Sequence, residues 1–166
     1  MKYFTRGWHN GDLDDRTTED VAQEYRKEIE DLSRTMSPAV RRLAMETDLH
    51  DAIIERVVLN EASRKLTMYL VAGDLQIGYN GVQIAYEDVR IDRCDVDVLE
   101  QRANDRCTCI LSQEIGRSHD GHYIHKLLFW PEGEVSVSFR DLMLTVARRE
   151  NRRVDLAGHF VAEDSE

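Results

Sequence analysis

The sequence predicts an α+β protein: an N-terminal helical hairpin packed on a largely antiparallel sheet of six or seven strands. Three observations carry this. Apolar residues recur at helical spacing before residue 48, and period-two alternation dominates from 52 to 148. Between Cys107 and Phe139, one choice of turns gathers most large apolar side chains on one face. The 166 residues fit one domain, taken as 1–160, with 161–166 read as a frayed acidic tail. A domain near this size buries roughly 70% of the surface its unfolded chain exposes, so it needs no disulfide or metal staple.

Residues 1–48 hold an aromatic start and the hairpin. Tyr3, Phe4 and Trp8 carry too much aromatic surface for a free tail and are expected to pack on the domain. Thr17 and Thr18, followed by Asp20, read as a helix start. Val21, Tyr25, Ile29 and Leu32 then recur on one face, with Glu24, Lys27, Glu28 and Glu30 filling the other. Ser37-Pro38 supplies a second start, with the serine as cap and the proline at the first helical position, before Val40, Leu43 and Ala44. Ile53 to Leu59 and Leu66 to Val71 are runs rich in branched residues on either side of a polar turn at Glu61 to Arg64, and both read as strands. Gly73-Asp74 breaks the next connection. Leu75, Ile77 and Tyr79 alternate, Val82, Ile84 and Tyr86 alternate on the other parity, and a bend or bulge at Asn80-Gly81 is expected to join them. Asp95 reads as the cap of a short helix at about 96–104, through Val96, Leu99 and Ala103, crossing between the two halves of the sheet.

A two-residue turn at Asp120-Gly121 sets the polar side of one strand against the apolar side of the next. A three-residue loop of His119, Asp120 and a left-handed Gly121 instead brings Ser118 opposite His122 and realigns both strands. Pro131, Glu132 and Gly133 form the following loop by the same logic. One face then carries Cys107, Cys109, Leu111, Ile115, Tyr123, Leu127, Phe129, Val135, Val137 and Phe139. The other carries Ser112, Glu114, Lys126 and Ser136, together with Ile110, Ile124, Leu128 and Trp130. That second apolar set needs a cover, either the helical hairpin or a partner. Beyond Phe139 the parity shifts at Arg140-Asp141, and Leu142, Leu144 and Val146 extend a last strand or short helix.

The net charge of −10 disfavours nucleic acid as a partner. The basic residues Arg148, Arg149, Arg152 and Arg153 read as a charged surface near the chain end. No apolar run suits a signal peptide or approaches the roughly 20 residues of a membrane helix, so a cytoplasmic protein is expected. Cys94, Cys107 and Cys109 are odd in number and read as buried free thiols. His119, His122 and His125 invite a zinc site, but His122 and His125, three apart on a strand, point to opposite faces, so no metal is expected. His50-Asp51 reads as a hydrogen-bonding pair at the junction of helix and sheet. The chain holds no G-x-S-x-G, H-E-x-x-H or G-x-G-x-x-G, no catalytic residue is assigned, and no cofactor is expected.

The opening MKYFT followed by Trp8, the LHDA segment from Leu49 to Ala52 and the tyrosines of GYNGVQIAY resemble a family of uncharacterised bacterial proteins whose members begin MKYFT-x-x-W. That family is classified only as a domain of unknown function, and the resemblance implies no activity. The strand segments after His50-Asp51 are also similar to those of small bacterial immunity proteins, which neutralise toxins by binding them. The leading expectation is non-catalytic binding of another protein, a basic one, through the acidic surface or through Ile124, Leu128 and Trp130. A second reading is a small-molecule site or enzyme pocket between helices and sheet, with His50, Tyr86 and His125 as its polar groups. The third is a homo-oligomer joined at the Trp130 patch.

Overall fold

The computed structural model describes residues 1–103, 105–151 and the backbone of 160–163; Arg152, Arg153 and residues 164–166 lie outside them. Among the described residues, four helices, α1 (Arg6–Asn10), α2 (Asp15–Ser33), α3 (Pro38–Glu46) and α4 (Arg93–Ala103), accompany two sheets. The first has the order β7-β3-β2-β1-β8, formed by β1 (Ile53–Asn60), β2 (Lys65–Asp74), β3 (Gly78–Glu87), β7 (Asp141–Arg149) and β8 (Phe160–Glu163). The second has the order β4-β5-β6, formed by β4 (Cys109–Arg117), β5 (Tyr123–Trp130) and β6 (Glu134–Phe139). Every pairing is antiparallel except that of β8 with β1.

The α+β class holds, but the single sheet of six or seven strands does not form. β7 returns past β4 to β6 and pairs with β3, so the second half of the chain closes as its own three-stranded layer. The helical hairpin over one sheet fails with it: α3 packs on β7 and α2 on β4, one helix to each sheet. The α2 cap is Asp14, whose carboxylate accepts from Thr17 N at 2.9 Å, so the helix begins a turn earlier than Thr17 suggests. Ser37 caps α3 as expected, with Pro38 at its first position. α4 starts two residues before Asp95, which sits in its first turn. Residues 161–163, expected to fray, continue the sheet as part of β8.

The β4–β5 loop is the one the alternation requires. Ser118 N donates to His122 O at 2.9 Å and Gly121 has φ 88°. The next loop keeps three residues but slides by one, with Trp130, Pro131 and Glu132 between Phe129 and Gly133, so each partner shifts by two and the parity stays intact. The real departure is a bulge at Leu111: Ile110 pairs with Phe129 and Ser112 with Leu128. It turns Ile110 onto the core face, where it is fully buried, and leaves Cys109 half-buried. Cys107 precedes the strand and is exposed, as is Cys94, so the expectation of buried thiols fails, although none of the three is joined in a disulfide. No bulge forms at Asn80-Gly81; β3 runs unbroken, with Asn80 opposite Ala72 and Gly81 opposite Val71.

The sheets face each other across one continuous core that includes Leu66, Met68, Ile84 and Tyr86 from the first and Ile115, Leu127, Val137 and Phe139 from the second. Tyr86 meets Phe139 edge-on at 5.1 Å between ring centroids. Two backbone bonds of 2.8 Å, Asp51 N to Ile110 O and Ile110 N to Ala52 O, tie the edge of β4 to the entry of β1. The outer face of β5 is covered at Leu128 by the first residues of the chain, and at Ile124 by Lys2 together with Tyr25 of α2. Buried Glu114 accepts from the backbone N–H groups of Lys2, Tyr3 and Phe4 at 2.6–2.8 Å. Arg6 donates to Phe129 O and Pro131 O at 2.7 Å.

Candidate functional site

Two glycines in the left-handed region, Gly73 at φ 99° and Gly78 at φ 85°, frame the turn between β2 and β3. A Cβ on Gly73 would stand 2.2 Å from Gly78 O, so only glycine fits there. Between them Asp74 Oδ1 accepts from Gln76 N at 2.7 Å and Ile77 N at 2.9 Å, and these two donors hold its carboxyl below the usual carboxylate range. The turn is thereby fixed with two large aliphatic side chains in solvent: Leu75 is 89% and Ile77 67% exposed.

Beside this tip lies an open depression of about 380 Å³. Its wall is the segment from α3 to β1, with Glu46, Thr47, Asp48, His50 and Asp51, and its floor is Ala72, Val82 and Val146. Four carboxylates, of Glu46, Asp48, Asp51 and Asp74, line it together with the Arg42 guanidinium, and the Arg148 guanidinium lies against Gly78 at the tip. Asp48 shapes the wall by accepting from His50 N at 2.8 Å, and Asp51 takes φ 59° at the corner. His50 Nδ1 lies 2.9 Å from Leu111 O, which only accepts, so that nitrogen carries a proton.

Cys109 Sγ lies 3.7 Å from one oxygen of the Asp51 carboxylate. His50 Nε2 is 3.7 Å from the other oxygen of the same carboxylate. Among the described residues, no group of three or more His, Cys, Asp or Glu is arranged to hold a metal.

The polar residues expected to share a pocket separate. Tyr86 and His125 meet inside the core, both with no exposed surface, at 2.7 Å from the phenol oxygen to Nδ1. His125 Nε2 is 3.0 Å from Gln113 Oε1, and Gln113 Nε2 donates to Thr47 O at 2.6 Å. The order of donors follows: Tyr86 O–H to Nδ1, Nε2–H to Gln113, and Gln113 to the wall of the depression. Burial pushes the His125 pKa down to about 3 and that of Tyr86 well up, so both stay neutral. His50 lies apart from them, half exposed in the depression.

The second apolar face of β5 also divides. Leu128 is 4% exposed, under Met1, Thr5 and Arg6; Ile124 is half-buried beside Lys2 and Tyr25. Trp130, at the strand end, is 52% exposed. The three make no continuous exposed patch. Of the histidine cluster, buried His122 sits between Asp88 and Asp120, with Nε2 3.4 Å from one carboxylate and Nδ1 3.3 Å from the other. Hydrogen bonds from Ser118 and from the His122 backbone hold the Asp120 carboxyl below its usual range.

Comparisons with protein-family profiles, curated proteins and solved structures find no match for this chain. Among the described residues, no helix is long and apolar enough to cross a membrane.

Sequence reasoning missed the hairpin tip because Leu75, Gln76, Ile77 and Tyr79 alternate like a strand. The usable signal was the pair of glycines five residues apart, bracketing an Asp that bonds its own backbone two and three residues on.

Proposed function

We propose that this chain is a non-catalytic protein-binding module that recognises a basic segment of its partner at the acidic depression and the β2–β3 tip. The observation that carries the reading is a rigid turn holding Leu75 and Ile77 in solvent beside four carboxylates. Full burial of an aliphatic side chain is worth about 1.5–3 kcal/mol, so a partner that covers both gains its apolar anchor there. A lysine or arginine of the same partner fits the carboxylates, and the net charge of −10 speeds the approach of a basic molecule. Neutralisation of a basic toxin, the role implied by the likeness to immunity proteins, is the specific form of this reading.

The test compares the native chain with the Leu75→Asp/Ile77→Asp variant as baits in host extract, at low and high salt, with retained proteins identified by mass spectrometry. A basic protein held by the native chain, released by salt and absent from the variant supports the reading. Equal retention by both baits overturns it.

A further inference from the structure

His122, just before β5, is only 4% exposed, and both nitrogens of its ring face carboxylates. Nε2 is hydrogen-bonded at 3.4 Å to Asp88 Oδ2, one residue past β3. Nδ1 lies 3.3 Å from Asp120 Oδ2 in the β4–β5 loop, yet it is sealed from solvent without a hydrogen bond. Each carboxylate also holds an arginine: Asp88 pairs with Arg64 of the β1–β2 turn at 2.5 Å, and Asp120 with Arg90, ahead of α4, at 2.5 Å. Arg140 Nε stands 3.8 Å from Asp88 Oδ2, and His119, exposed in the same loop, is the other histidine nearby. Arg64, Asp88, His122, Asp120 and Arg90 thus follow one another as a chain from the first sheet to the second, with the imidazole at its centre.

The two carboxylates are the fixed charges of this chain. Desolvation pushes the Asp88 carboxyl up, but the His122 bond and the charges of Arg64 and Arg140 outweigh it and leave the group below its usual range. A hydrogen bond from Ser118 and one from the His122 backbone do the same for Asp120. A neutral imidazole has one N–H, so with Nε2 donating to Asp88 the lone pair of Nδ1 is turned towards a second anion; the imidazolium donates to both. Out of water, that difference is strongly felt.

We propose that His122 is a proton-operated clasp between the two sheets: uptake of a proton from solvent on Nδ1 joins the β4–β5 loop to the end of β3, and its loss releases the loop. Arg64, Val89 and Arg90 also line an open cleft of about 590 Å³ bounded by α4 and β6, so the clasp sets the mobility of one wall of that cleft. The device is separate from the acidic depression and does not depend on the proposed function.

Nitrogen-15 NMR of the imidazole rings of the full chain from about pH 5 to 9, beside amide hydrogen exchange corrected for its intrinsic dependence on pH, tests it. As His122 loses its second proton, the hydrogen-bonded amides of Val89 and Arg90 on one side, and of Ser118 and Gly121 on the other, should exchange roughly tenfold faster with the same midpoint. His122→Gln, which gains no proton, should abolish that response, and His119→Gln should keep it. A ring that stays neutral or stays cationic across the range overturns the assignment. So do amides that ignore the titration of the ring, and a response that survives His122→Gln or disappears in His119→Gln.

Discussion

Replacing His125 by Gln should flatten the dependence of stability on pH between 6.5 and 4.5. The native imidazole is fully buried and neutral, with a pKa of about 3 against 6.5 in the unfolded chain. Below pH 6.5 the unfolded state therefore binds a proton that the folded state refuses, and stability falls as pH falls. Integrating the two titrations from pH 6.5 to 4.5 gives a loss of roughly 2 kcal/mol from this one residue, continuing towards a limit of about 5 kcal/mol below pH 3. The carboxylates of Asp88, Asp120 and Glu28, held charged to lower pH in the fold, give up their contribution as pH falls from about 5, but they are common to both proteins and cancel in the comparison. His9, also lowered by burial, is common to both proteins and cancels in the comparison. Urea unfolding at half-unit steps of pH supplies the free energies. His125→Gln should be less stable than the native chain at pH 7, yet the gap should narrow by about 2 kcal/mol at pH 4.5. Parallel stability curves would refute the buried neutral histidine and the hydrogen-bond order assigned to it.

Other perturbations separate the parts of the structure. Tyr86→Phe removes the donor to His125 and leaves Nδ1 buried without a partner, so thermal unfolding should show a cost of about 1–3 kcal/mol, roughly 2–4 °C for each kcal/mol. Glu114→Ala strips the acceptor from three backbone N–H groups; the first residues should detach, and limited proteolysis should cut near Phe4 and Arg6 before the core. Gly73→Ala forces a side chain into the 2.2 Å gap before Gly78 O and should lower the melting temperature, whereas Gly116→Ala, with open space around its Cβ, should cost far less. Leu75→Asp/Ile77→Asp should change stability by less than about 0.5 kcal/mol in denaturant while abolishing partner retention, because both side chains already stand in water.

Local signals were legible wherever chemistry fixes the backbone within a few residues. Ser37-Pro38 starts α3, and the need to align apolar faces selects the His119–Gly121 loop over a two-residue turn. The division into two sheets was not legible, because it depends on β7 choosing β3 over its sequence neighbour β6, a long-range pairing that local alternation does not encode. The bulge at Leu111 escaped for a related reason: Cys109, Ile110 and Leu111 are all apolar, so either parity reads as a core face until Phe129 sets the partner. His125 and Tyr86 were singled out as polar groups among apolar ones, and they do meet, but as a sealed network rather than a pocket. The cover over Leu128 comes from the aromatic start, which was expected to pack somewhere; the anchor that decides where is Glu114, which in the sequence is one carboxylate among many.

The central claim is that binding occurs at the acidic depression and its hairpin tip, and hydrogen exchange of the chain with and without its retained partner tests it most directly. The account predicts protection concentrated in residues 46–51 and 73–78, with the strand interiors unchanged. Protection at Trp130, with none at the hairpin tip, would contradict it.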